Sequence, residues 1–320
     1  MRKWELLTAA LVLTTWSCGR QNESLSGPSA LPPTSASGGQ AAILVVDGRN
    51  DVPLPGVKVE TNSGTNVTTD AQGVASLNVS MSTPLVLEKE GVIQRKTLWR
   101  GERENSPFSL WPLSGEADVT FVGEFVYRTN IRQQPLTRVP NGTTVGVLLP
   151  RNASDEVRQA FDDAVSLIND AIGGPVTFQV VDGSGGGRFT VSVSVDPGDS
   201  FLLANQQAGG YTVVTTSANQ IVGARIVYRS DWYLGTRNAV AHELGHVFGV
   251  GHHHLSQGGI MSLNATSVFG STDFSASEKL AMRMMTQRPT GNAYPDDDQG
   301  AGVQAASRAG AQSPIALACF

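Results

Sequence analysis

All five histidines of this 320-residue chain fall in the run HELGHVFGVGHHH, from His242 to His254. His242 and His246 are four apart, so on a helix both imidazoles leave one face about one turn apart. Two imidazoles so placed suit a single zinc ion, and the carboxylate of Glu243 falls beside that ion, where a general base for a water molecule belongs. His252 lies six residues beyond His246, too far along to share the face of a continuing helix. Gly249 can end the helix in a left-handed conformation and turn the chain back, which brings His252 to the same ion. Three neutral imidazoles with a fourth position left open describe a catalytic zinc site, whereas a structural one is closed by four protein ligands. His253 or His254 can replace His252 in principle, but the spacing from Gly249 favours His252. The other two are expected at the rim, exposed or supporting the ligands.

The elements that must carry this run are read from periodicity and caps. The helix bearing AVAHELGHVFG starts near Thr236. An earlier helix is predicted from Asp155 to Ile172, capped by Ser154, ended by Gly173, with Val157, Phe161, Ala164, Val165, Ile168 and Ile172 on one apolar stripe. A later one follows Ser275 and Glu278, which suit a capping box, and stops before Pro289. Alternation predicts strands at 119–127 (VTFVGEFVY), 143–150, 176–181, 189–195, 211–216 (YTVVTT) and 224–229. The run DGSGGG, 182–187, reads as a hairpin turn.

HELGHVFGVGH has the form HExxHxxGxxH and resembles the metzincin clan of zinc endopeptidases, with the short distance from His252 to GGIMS closest to its matrixin-like branch. The resemblance covers about 116–290 and implies an α+β catalytic domain: a mixed twisted sheet, a long helix, a zinc helix and a C-terminal helix. It implies a methionine turn under the ligands, for which Met261 is the counterpart, and an edge strand above the cleft, here YTVVTT, that takes an extended substrate. An ordinary internal strand fits that residue pattern equally well. Matrixins place serine or aspartate where His253 stands, and no histidines remain for the clan's second, structural zinc. No cysteine-bearing propeptide motif precedes the domain.

Residues 41–113 read as a small all-β sandwich of short strands between turn signals. PLPGVKV and TTDAQGVASL resemble carboxypeptidase-regulatory-like, transthyretin-like modules, which imply a fold and no reaction. Residues 1–18 read as a signal peptide of lipoprotein type with Cys18 as the lipidated residue, soluble secretion being the alternative, and 19–40 as a flexible linker. The catalytic domain spans 114–292, and 293–320 is expected to be a flexible tail on which Asp296, Asp297 and Asp298 are solvated; a structural calcium is not supported. Neither Cys18 nor Cys319 is needed for a disulfide. With a net charge of −5 and no basic stripe, a nucleic-acid partner is excluded.

Together these readings predict an exported zinc metalloendopeptidase, a monomer that acts on protein or peptide substrates. Its only membrane contact would be a lipid at Cys18, at the outer membrane or cell surface. The rival is a surface adhesion protein that works through the sandwich and carries a relic protease domain.

Overall fold

The computed structural model describes residues 39–101, 107–113, 117–129, 133–182, 189–255, 258–301 and 313–319. The predicted signal segment, Cys18 and the linker up to residue 38 lie outside them.

Seven short strands come first: β1 (Gly39–Asp47), β2 (Lys58–Thr61), β3 (Asn66–Thr68), β4 (Val74–Val79), β5 (Pro84–Glu88), β6 (Arg95–Leu98) and β7 (Phe108–Leu110). They form two small sheets, ordered β4-β1-β7 and β3-β2-β5-β6. Alternation in β4 turns Ala75, Leu77 and Val79 inward, and these side chains share one cluster with Val59, Leu85, Leu87 and Trp99.

The larger sheet contains β8 (Thr143–Leu148), β9 (Val176–Val181), β10 (Phe189–Val195), β11 (Gly210–Ser217), β12 (Gln220–Tyr228) and β13 (Ser313–Cys319), in the order β13-β11-β12-β10-β8-β9. Strands β9 and β10 lie on opposite sides of β8, each parallel to it. The link containing DGSGGG is therefore a crossover and not a hairpin; residues 183–188 themselves lie outside the described set. Strands β11 and β12 do form a two-residue hairpin, with Ala218 and Asn219 both at positive φ.

Seven helices complete the described elements: α1 (Val119–Tyr127), α2 (Asp155–Ile172), α3 (Ser200–Ala204), α4 (Asp231–Leu234), α5 (Arg237–Phe248), α6 (Ala265–Gly270) and α7 (Ala276–Thr286). Helix α2 has the expected stripe and caps: Ser154 Oγ accepts from Val157 N–H, and Gly173 is left-handed. Helix α7 has the expected capping box. VTFVGEFVY, expected as a strand, is helix α1. Asp118 caps it by accepting from Phe121 N–H, and Phe121, Phe125, Val122 and Val126 pair at helical i, i+4 spacing inside the core. Burial over most of its surface overrides the β propensity of its valines and aromatics.

The expected boundary at 113/114 is crossed by packing, and residues from Gly38 onward fall into one compact unit. Ile93 and Trp111 belong to the same core cluster as Val240, Leu244 and Phe248 of the histidine-bearing helix α5. A Cβ on Gly48 would lie 2.0 Å from Met284 Sδ, so α7 presses on the end of β1.

The segment after Pro289 is not the expected solvated tail. Lys96 N–H donates to Asp296 O and Asp298 N–H to Lys96 O, so residues 296–298 run beside β6. Asp296 and Asp298 are buried, facing Arg288 and Arg95. Three adjacent carboxylates look solvated in the sequence because only the folded chain brings Arg288, eight residues before Asp296, and the far more distant Arg95 to face two of them. Among the described residues no helix is long and apolar enough to cross a membrane.

Candidate metal centre

Helix α5 carries His242 and His246 on its inner face, both fully buried. It ends where the glycine requires: Gly249 has φ +129, and a Cβ there would sit 2.3 Å from Thr137 O. Any side chain at 249 would thus meet both an unfavourable backbone conformation and a backbone atom. The return loop is braced by α1. Gly251 N–H donates to Phe125 O at 2.7 Å, and Arg128 Nη2 donates to Gly249 O at 2.7 Å, a cation placed at the negative end of α5.

This loop delivers His252 to the other two histidines. The three Nε2 atoms form a triangle with sides of 3.1, 3.1 and 3.2 Å. Ligand atoms about 2.0–2.1 Å from a tetrahedral zinc lie roughly 3.3–3.4 Å apart, so the triangle has the size of one face of that tetrahedron. The far nitrogens are committed to the backbone: His242 Nδ1 donates to Ile260 O at 2.5 Å and His246 Nδ1 to Val250 O at 2.9 Å. Those bonds fix the tautomer that leaves the Nε2 lone pairs on the triangle. The residues fit a metal ion, and among the described residues this is the group of histidine, cysteine and carboxylate side chains able to hold one.

Burial is the main cause holding all three rings neutral. It pushes His242 and His246 well below the ordinary imidazole range, and it takes His252 down to about 4 with help from His253 and Arg128. Neutral rings are what a metal requires. Below pH 6.5 the unfolded chain takes up protons that the folded rings refuse, so the metal-free protein should lose stability as the pH falls from 6.5 towards 4. For His252 alone the loss between pH 7 and pH 5 is about 2 kcal/mol. Urea unfolding at the two pH values measures it, and His252→Asn should remove that share of the difference.

No protein-family model matches the chain, and no curated protein matches it. Among solved structures it is similar to the crystal structure of metalloproteinase-II from Bacteroides fragilis, at 15% identity over 77% of this chain and 85% of that one, with a TM-score of 0.29. That likeness is distant. It is the histidine triangle, and not the neighbour, that speaks for metal chemistry.

Met261 is fully buried and packs against helix α5 at Gly245. A Cβ on Gly245 would come within 2.5 Å of its Sδ, so this glycine, unspecified in the motif, is where the helix backbone admits the Met261 side chain. Glu278 holds the turn in place: Oε1 accepts from Met261 N–H at 2.7 Å and from His253 Nε2 at 2.9 Å, while Oε2 accepts from Ser275 N–H. His253 is therefore not at the rim. It is buried against Phe121 and Phe125, with its backbone N–H on Met261 O. His254 is at the rim, with its Nδ1 on Glu124.

Glu243 is buried, and Thr212 of β11 donates its hydroxyl to Glu243 Oε2 at 2.5 Å. The next-but-one residue of β11, Gly210, has its missing Cβ 3.3 Å from Glu243 Oε1. Neither contact was readable in advance, because a threonine in YTVVTT looks like ordinary strand propensity. Glu278 did leave a signal as the capping-box residue three positions after Ser275, but only the fold could bring it to His253. Thr212→Val keeps the shape and removes the donor; it should lower kcat about tenfold with metal content unchanged, as loss of one hydrogen bond to a charged group implies. Steady-state kinetics beside metal analysis checks this.

Proposed function

We propose that this chain is an exported zinc-dependent endopeptidase of metzincin, matrixin-like type. The observation that carries the reading is the triangle of His242, His246 and His252 Nε2 atoms with Glu243 next to its first member. Zinc held there would act as a Lewis acid, lowering the pKa of water to about 7 and polarising the scissile carbonyl. The chain's own part is to hold and move protons. Glu243 takes a proton from the attacking water and returns it to the departing amine nitrogen as the C–N bond breaks. Thr212 fixes the rotamer of that carboxylate. Gly249 and the α1 contacts keep His252 in place, and Met261 with Gly245 floors the site.

A closed four-ligand storage site is disfavoured, since His253 Nε2 is engaged by Glu278 and His254 lies outside with Glu124. For the N-terminal sheets we propose the carboxypeptidase-regulatory-like module named above, and for the cell address an envelope lipoprotein anchored at Cys18.

Purified protein should hold zinc at one equivalent and cleave unfolded casein. A chelator should stop cleavage and added zinc restore it. Cleavage that survives complete loss of metal would sink the reading.

A further inference from the structure

The strand predicted to offer a free edge does not have one. From Gly210 to Thr216 β11 pairs antiparallel with β13: Gly210 faces Cys319, Tyr211 faces Ala318, Thr212 faces Leu317, Val213 faces Ala316, and the register continues to Thr216 and Ser313. Gly210 and Thr212 are the two β11 residues that adjoin the Glu243 carboxylate. An extended peptide that added itself to the β11 edge beside Glu243 would need the N–H and C=O groups that β13 already uses. Both cannot be satisfied at once.

The sequence of the covering strand suits such an occupant. SPIALAC carries no charge, whereas strands left at a solvent edge commonly hold lysine or other charges that discourage pairing. It joins the sheet only after α5, α6, α7 and the acidic clamp at 296–298 have passed, so it is added to the outside of a sheet that is otherwise complete. An intramolecular strand also competes at an effective concentration in the millimolar range, above that of most substrates.

We propose that residues 313–319 are an autoinhibitory strand: they occupy in cis the β11 edge on which an extended polypeptide substrate docks, and the site opens when they leave. The inference rests on the endopeptidase reading and deepens it.

The test uses the full zinc-loaded chain and the double variant Ala316→Pro/Leu317→Pro. In an antiparallel pair successive residues alternate between bonded and non-bonded positions, so one of these two prolines removes a ladder donor whichever way the strand faces. Two measurements are made on both proteins: casein cleavage, and binding of a fluorescein-labelled SPIALA peptide by anisotropy. The variant is expected to cleave at least tenfold faster and to bind the peptide that the unaltered chain excludes. Measurable but equal cleavage, with equal peptide binding, overturns the inference and leaves the endopeptidase standing. No cleavage by either protein, with binding confined to the variant, overturns the endopeptidase and leaves β13 as the occupant of the edge. No cleavage with equal binding overturns both.

Discussion

Glu243→Ala is expected to lower kcat/KM for casein by about 10³- to 10⁴-fold, the upper range for loss of a positioned general base. Zinc content should stay at one equivalent, because the histidine triangle is set by α5, the Gly249 turn and the backbone carbonyls of Val250 and Ile260, none of which involves that side chain. The measurement should be made in the strand-released background as well as in the unaltered chain, so that a low starting rate does not hide the loss. Glu243→Gln is the sharper companion. It keeps the hydrogen bond from Thr212 and the volume of the side chain but cannot take a proton, and it should be as inactive as the alanine variant. Activity in the glutamine variant near that of the parent would remove Glu243 from the proposed role.

The second large effect lies away from the site. Arg288 is fully buried and spends its donors on two partners: Nε and Nη2 donate to the two oxygens of Asp296 at 2.7 Å each, while Nη1 and Nη2 donate to Oγ and O of Ser109 at 2.9 Å. Asp296 also accepts from Asn292 Nδ2, and Arg95 pairs with Asp298 close by. Three distant parts of the chain thus meet at one charge cluster: β7 through Ser109, the segment after α7, and β6 through Arg95. Asp296→Ala leaves the Arg288 guanidinium buried without its counter-charge, and is expected to cost about 3–5 kcal/mol in urea unfolding. Replacing both partners by apolar residues, Arg288→Met with Asp296→Leu, should recover most of that loss, since no charge is then left to desolvate. A double variant no better than Asp296→Ala would show that the contacts to Ser109 and Asn292, and not the ion pair, hold the clamp together. Asp297, which is only partly buried and lies between the two clamped carboxylates, should tolerate asparagine with little change.

The three-histidine motif was legible because its logic is short-ranged. A spacing of four on a helix, a glycine able to turn the chain and a histidine directly after that loop's second glycine are all contained in eleven positions, and helical periodicity converts them directly into directions in space. The helices α2 and α7 were legible for the same reason, their caps and stripes lying within one element. Helix α1 was misread because its residues favour strands when taken one at a time. The pairing of Phe121 with Phe125 and Val122 with Val126, which would have marked it, gains weight only once a core exists to receive both faces.

By itself, then, the sequence determined which three histidines come together, the carboxylate beside them and the turn that joins them, because local geometry suffices for each. The tertiary structure alone decided that Thr212 steadies Glu243, that Glu278 and His253 lock the methionine turn, that Asp296 and Asp298 are buried counter-charges, and that β13 covers β11. Most of these contacts join residues far apart in the chain, and even the nearer ones, Glu278 with His253 and Asp296 with Arg288, depend on how loops and helices pack. Neither residue type nor spacing can announce such meetings: a threonine in a strand, a glutamate at a helix cap and an aspartate in an acidic run each have a self-sufficient local role, and acquire the second one only when packing brings the partner within hydrogen-bond reach.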